Sequence, residues 1–97
     1  MEEKIMLYTK HCEDVQKKAY SLKYFLLIDT TDRGTVYGIE IEKEEPAVTE
    51  REMVRGLYAE REEAEKFLWK LWDGTAFPVE LAALCDDFIT EREEKIC

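Results

Sequence analysis

The chain has 97 residues, of which 23 are acidic and 14 are basic, so its net charge is −9. This length suits one domain, and we expect a single domain over residues 1–97. Hydrophobic residues make up 45% of the chain, too many for intrinsic disorder. No apolar run approaches the roughly 20 residues of a membrane span. The acidic excess argues against binding to nucleic acid or to an anionic membrane, because both need basic side chains.

The N-terminus and the cysteines predict a cytoplasmic protein. The opening residues, Met1–Lys4, lack the basic and apolar segments of a secretory signal. The three cysteines, Cys12, Cys85 and Cys97, are odd in number and form no CxxC pair. We therefore expect free thiols in a reducing compartment, with no structural zinc and no cofactor.

The first 18 residues have little hydrophobic pattern. Lys4–Thr9 has the composition of a short strand, whereas Lys10–Lys18 is polar and predicts a loop. Residues 1–18 are therefore either peripheral or contribute a further strand, and the predicted core covers about residues 19–92.

Residues 20–43 predict a β-hairpin, because large apolar side chains occupy every second position on both sides of a turn. Asp32 and Arg33 suit the centre of a type I turn, with Gly34 in the left-handed position after it. This turn places the two apolar rows on one face of the hairpin. The predicted pairs are Ile28 with Tyr37, Leu26 with Ile39, and Tyr24 with Ile41.

The segment after the hairpin allows two interpretations. A capping box at Thr49 would begin one long helix that ends at Trp72. Gly56 would cost such a helix about 1 kcal/mol, and Arg61 would interrupt its apolar stripe. We favour the alternative, a third strand over about Glu52–Tyr58.

Two C-terminal helices are predicted next. The first begins with acidic residues, carries an apolar stripe from Ala64 to Trp72, and ends before Gly74. The second begins at Pro78, a favoured first helical position. Its buried stripe comprises Leu81, Leu84, Cys85, Phe88 and Ile89. The order of elements predicts an α+β fold: a small antiparallel β-meander of three or four strands with two C-terminal α-helices packed on one face.

Three segments carry a resemblance to a known family. They are Tyr37-Gly-Ile-Glu-Ile41, Val54-Arg-Gly-Leu57 leading into Glu62-Glu-Ala-Glu65, and Phe77-Pro-Val-Glu-Leu81 with Asp86-Asp-Phe-Ile89. Over about residues 20–90 the chain resembles a small bacterial family known only as a domain of unknown function and common in spore-forming anaerobes. The resemblance implies a third strand at Val54–Leu57 and a bacterial cytosol. It brings no activity, ligand or catalytic residue.

Few residues suggest chemistry. A nucleophilic Cys12 would need His11 as its base, but adjacent strand residues point to opposite faces, so we expect an exposed segment here. A metal bound by His11, Cys12 and Cys85 is disfavoured, because Cys85 lies on an apolar stripe. The pair Asp86-Asp87 is a weak acid/base candidate, because adjacent helical residues diverge. With no phosphate-binding glycine loop or hydrolase motif, we expect no enzyme.

The candidate interaction surface comprises Phe25, Leu27, Val36 and Trp69. The first three lie on the second face of the hairpin, which would be polar if it met water, and Trp69 falls off the helical stripe. Either the Ile5–Tyr8 segment covers this hairpin face or another chain does.

The function that these features favour is a non-enzymatic protein-interaction or regulatory module. It would bury aromatic surface inside an acidic rim, against an unidentified protein partner or a second copy of itself. One alternative is an acidic mimic of nucleic acid that occupies a basic groove. The other is a small enzyme or metal-binding protein that uses His11 and Cys12.

Overall fold

The structure, a computed structural model, describes residues 2–81 and residue 83. The elements are β1 (Glu2–Glu13), β2 (Ala19–Thr31), β3 (Gly34–Glu44), β4 (Thr49–Tyr58), the helix α1 (Arg61–Asp73) and a 3-10 turn (Pro78–Glu80). The four strands form an antiparallel sheet in the order β1-β2-β3-β4, so each strand pairs with its neighbours in sequence. α1 packs across one face of this sheet.

The predicted α+β fold with two C-terminal helices is wrong. Residues 2–81 and 83 contain four strands but a single α-helix, and the fold is mostly β. At Pro78, the predicted start of the second helix, the chain forms a 3-10 turn, because the N–H of Glu80 bonds to the Phe77 carbonyl only three residues back. The rest of that predicted helix lies outside the described residues: Leu84, Cys85, Asp86, Asp87, Phe88 and Ile89.

β1 is longer than the sequence pattern predicts. Lys10–Glu13, expected in a loop, continues the strand and pairs with β2. Trp72 Nε1 donates a hydrogen bond to the Thr9 carbonyl (3.1 Å), and Lys10 Nζ donates to the Trp72 carbonyl (2.6 Å). The Lys10 ammonium therefore lies at the C-terminus of α1, where the helix dipole favours a cation. These contacts join the polar end of β1 to the last turn of α1.

The β2–β3 hairpin confirms the predicted register. Ile28 pairs with Tyr37, Leu26 with Ile39, and Tyr24 with Ile41. Asp32 and Arg33 form the loop, and Gly34 follows with a φ of +122°, a conformation that glycine adopts without steric cost.

The segment after the hairpin is a strand, as favoured. β4 pairs with β3 but bulges opposite Gly38, where the register shifts. Gly56 lies in the bulge with a φ of +65°, which explains a glycine that would weaken a helix. A Cβ added to Gly38 would lie 2.3 Å from the Val54 carbonyl oxygen, so the bulge passes directly over this glycine.

The core lies between α1 and the sheet. α1 ends at Asp73 and is followed by Gly74, as predicted. The hydroxyl of buried Tyr24 donates a hydrogen bond to the Ala76 carbonyl (2.9 Å), so this polar group is satisfied inside the core. The residues with no exposed surface are Leu22, Tyr24, Leu26, Ile39, Ile41, Ala64 and Leu68.

Candidate functional site

The candidate site is the face of the sheet that points away from α1, and we call it the open face. It is built from the alternate strand residues whose side chains lie opposite the core row. The register places on it, among others, Glu2, Lys4, Met6, His11, Glu13, Ser21, Lys23, Phe25, Leu27, Asp29, Val36, Gly38, Glu40, Glu42, Glu44, Arg51 and Met53, and the ion pair with Asp29 places Arg55 there.

The middle of the open face presents apolar side chains to solvent. Met6 pairs with Phe25, Phe25 with Glu40, and Glu40 with Met53, so these residues form one row across the four strands. Met6 is 51% exposed and Met53 is 42% exposed. A sheet face that meets water is ordinarily polar, so this row has the character of a contact surface.

The predicted surface residues do not form one surface. Phe25, Leu27 and Val36 all lie on the open face, and Val36 is exposed. Leu27 is buried, because Gly38 lies opposite it and the β4 bulge passes over that glycine. Trp69 is 48% exposed on α1, on the other side of the sheet.

Met6 and Met53 are exposed apolar residues of the open face that the sequence pattern did not single out. Met53 lies in β4, and the predicted hairpin register covered only β2 and β3, so it did not give the pairing of β4 with β3. Extending the predicted hairpin register by one strand on each side would have placed both methionines beside Phe25 and Glu40.

Each lysine and arginine of the open face is paired with a carboxylate of the same face. The hydrogen bond between Lys23 and Glu44 (2.7 Å) raises the pKa of Lys23 and holds the pKa of Glu44 below its ordinary value. The pairs are Lys4–Glu40, Lys23–Glu44, Arg51–Glu42, Arg55–Asp29 and Arg55–Glu2. The apolar row is therefore surrounded by charges that neutralise each other.

Glu40 is a buried charge at the centre of this face, with 1% of its surface exposed. Its Oε2 accepts no hydrogen bond of regular geometry within the described residues, so the ion pair with Lys4 is what compensates it there. Lys4 Nζ also lies 4.2 Å from the centroid of the Phe25 ring. One lysine thus balances the buried carboxylate and covers the aromatic ring.

His11 and Cys12 point to opposite faces of β1, as strand alternation requires. His11 Nδ1 lies 3.0 Å from the Ser21 hydroxyl on the open face, whereas Cys12 pairs with Tyr20 on the core side. Burial, together with a hydrogen bond to Cys12, raises the pKa of Tyr20. Within residues 2–81 and 83 there is no cluster of three or more metal-ligating side chains, and Cys85 lies outside this range.

A wide groove of about 620 Å³ opens at one end of the open face, beside His11 and Ser21. Two of its lining carboxylates are already engaged, Glu44 by Lys23 and Glu45 by Lys43 (3.0 Å). The groove extends the open face with polar walls, and these two of its three carboxylates are neutralised like those of the face itself, the third being Glu13.

The fold and the open face together define a class of small, mostly β protein: a helix covers one side of a four-stranded meander, and within residues 2–81 and 83 no element covers the other side. The chain belongs to the Family of unknown function DUF6514, which matches residues 3–91 and so spans every element described above. The predicted resemblance to a family of unknown function is thereby confirmed. No curated protein and no solved structure matches the chain. In the part of the chain described, no helix has the length and apolar character needed to cross a bilayer.

Proposed function

We propose that the chain is a non-enzymatic protein-interaction module and that the open face is its binding surface. The observation that carries the proposal is the row formed by the exposed Met6 and Met53 with the half-buried Phe25, inside a ring of neutralised charges. Methionine side chains adapt to irregular apolar partners, which suits them to a contact surface. The paired charges around the row supply a polar rim.

The charges favour a protein partner over nucleic acid or an anionic membrane. A phosphate would have to displace a carboxylate from each of the four basic side chains of the open face. The net charge of −9 repels both kinds of partner as well. We further propose a bacterial cytoplasm as the setting, in line with the free thiols that the sequence predicts.

The two alternative functions have less support. An acidic mimic needs rows of unpaired carboxylates, but α1 pairs Glu65 with Arg61 and Glu62 with Lys66, much as the open face pairs its own. An enzyme that uses His11 and Cys12 needs the two side chains in contact, and although both residues line the groove at the end of the open face, their side chains point to opposite faces of β1.

Site-specific photo-crosslinking in living cells tests the proposal. A photo-reactive amino acid replaces Met53 in one variant of the full chain and Trp69 in a matched control, because both side chains are about half exposed. We expect a discrete crosslinked protein adduct from position 53 and none from position 69. Adducts from position 69 alone, or from neither position, would refute the open face as the binding surface.

A further inference from the structure

We infer that the partner on the open face is a second copy of the chain, stacked face to face across a two-fold axis. This inference rests on the proposed function and names the partner of the same surface. Two sheets that stack in this way lie about 10 Å apart and interdigitate their facing side chains.

The charge distribution favours a second copy. Four basic side chains of the open face pair with five carboxylates and Glu13 lies at one end of the face, so this face carries only −2 of the chain's −9. Two copies that meet here bring little net charge to the contact, and most of their acidic excess stays outside it. A contact elsewhere on the chain would bring more of that excess together and would be opposed by repulsion.

One contact on the β1 edge and the charges along the β4 edge disfavour a dimer that pairs through these strands. On β1, the Thr9 carbonyl already accepts a hydrogen bond from Trp72 Nε1. If β4 pairs antiparallel with the β4 of a two-fold related copy, one residue at the centre of the pair lies opposite its own counterpart. Residues 50–53 can each take this central position. A centre at Glu50, Arg51 or Glu52 sets that residue against its own charge, and a centre at Met53 sets Arg51 against Arg55. Like charges directly opposite each other destabilise a strand pair, so β4 resists self-pairing.

The size of the open face also suits a stable dimer. Four strands at the usual spacing span about 19 Å, and ten paired residues span about 33 Å, which gives a footprint of about 600 Å². Protruding side chains raise the accessible area that such a contact buries toward the roughly 800 Å² per partner of a standard protein interface.

Sedimentation equilibrium of the purified full chain tests the inference. We expect a dimer of twice the 11.5 kDa chain mass. Met6→Lys combined with Met53→Lys would bury charge in the contact and weaken the dimer roughly tenfold or more. Trp69→Lys introduces the same kind of charge at a half-exposed residue on the other side of the sheet, so this control should keep the dimer.

Circular dichroism confirms that each variant is folded, and Val36→Lys provides a second open-face substitution at an exposed residue. A wild-type chain that stays monomeric up to its solubility limit overturns the inference. So does a dimer that survives the open-face substitutions. A monomeric pure chain that still gives an adduct of another protein at position 53 in cells refutes self-association alone. If no crosslinked adduct of any protein forms from position 53 in cells, the proposed function itself is refuted.

Discussion

On one face of the sheet Leu22, Tyr24 and Leu26 are fully buried beneath α1, whereas on the other Met6 and Met53 keep 51% and 42% of their surface exposed. Both faces are built from the same four strands, and both carry large apolar side chains. They differ in their charges, because the open face adds a set of cross-strand ion pairs. An apolar row alone therefore does not identify a core, and the charged residues beside it distinguish a contact surface from an interior.

At Gly38 the backbone of the β4 bulge covers the open face. Gly38→Ala forces the new methyl group against the Val54 carbonyl, so β4 must move away. We expect the free energy of unfolding to fall by about 3 kcal/mol, because the obstacle is backbone that cannot rotate aside. Urea denaturation measures this loss.

Gly34→Ala is the control for this substitution. Gly34, unlike Gly38, has a positive φ, and no atom lies within 4 Å of the position of its added Cβ. The control should therefore lose only about 1 kcal/mol through backbone strain. Equal losses in the two variants would contradict the steric role of Gly38.

Removing the Lys4 side chain should lower the free energy of unfolding more than the partial exposure of this lysine indicates. Lys4→Met leaves the buried Glu40 carboxylate uncompensated, and we expect a loss of about 2–3 kcal/mol in unfolding free energy. Adding Glu40→Gln should restore much of the loss, because the uncompensated charge is then gone. Lys23→Met removes an exposed pair and should change stability little. An equally small effect of Lys4→Met would mean that Glu40 needs no compensation.

A substitution of Tyr24 tests the face of the sheet that α1 covers. Tyr24→Phe removes the hydrogen bond to the Ala76 carbonyl and should cost about 1 kcal/mol at neutral pH. Burial raises the pKa of Tyr24 well above its ordinary value of 10.0. The folded state therefore holds this proton more tightly than the unfolded state does. Stability from this group is complete below the ordinary pKa and is lost as pH rises above it.

The loss of stability at alkaline pH separates the contribution of Tyr24 from the contributions of other titratable groups. Thermal unfolding from about pH 8 to pH 11 should fall more steeply for the wild-type chain than for Tyr24→Phe, because the variant lacks the shifted group. Parallel curves would show that Tyr24 titrates alike in the folded and unfolded states.

Met53 should show the smallest effect on folding. Met53→Thr at a dilution where the chain is monomeric should change the unfolding free energy by less than about 0.5 kcal/mol, because the side chain is nearly half exposed and lies outside the core cluster. If the unfolding free energy instead falls as much as it does for a buried core residue, Met53 belongs to the interior and not to the proposed contact surface.

The sequence predicted the parts of the fold that local rules control. Alternation and turn chemistry around Gly34 gave the register of the hairpin, and the cost of Gly56 in a helix gave β4. The length of β1 was not predictable, because it depends on contacts between Thr9, Lys10 and Trp72, more than 60 residues away in sequence. No periodic pattern records such a contact.

The candidate site was predicted only in part, for a related reason. Alternation placed Phe25, Leu27 and Val36 on one face, but whether each is exposed depends on the neighbouring strand. Leu27 is buried because the β4 bulge passes over Gly38, a feature of backbone path and not of side-chain type. The exposed ends of the row, Met6 and Met53, come from strands whose pairing the sequence left open.

The contacts between β1 and α1 have a consequence for the newly made chain. Until the ribosome has released Trp72, no indole is present to occupy the Thr9 carbonyl, and β1 is an unguarded strand edge. Such an edge is a template for pairing with other nascent chains. The last turn of α1 therefore closes this one acceptor on the β1 edge only late in synthesis, and a chain truncated before Trp72 would leave the acceptor open to pairing.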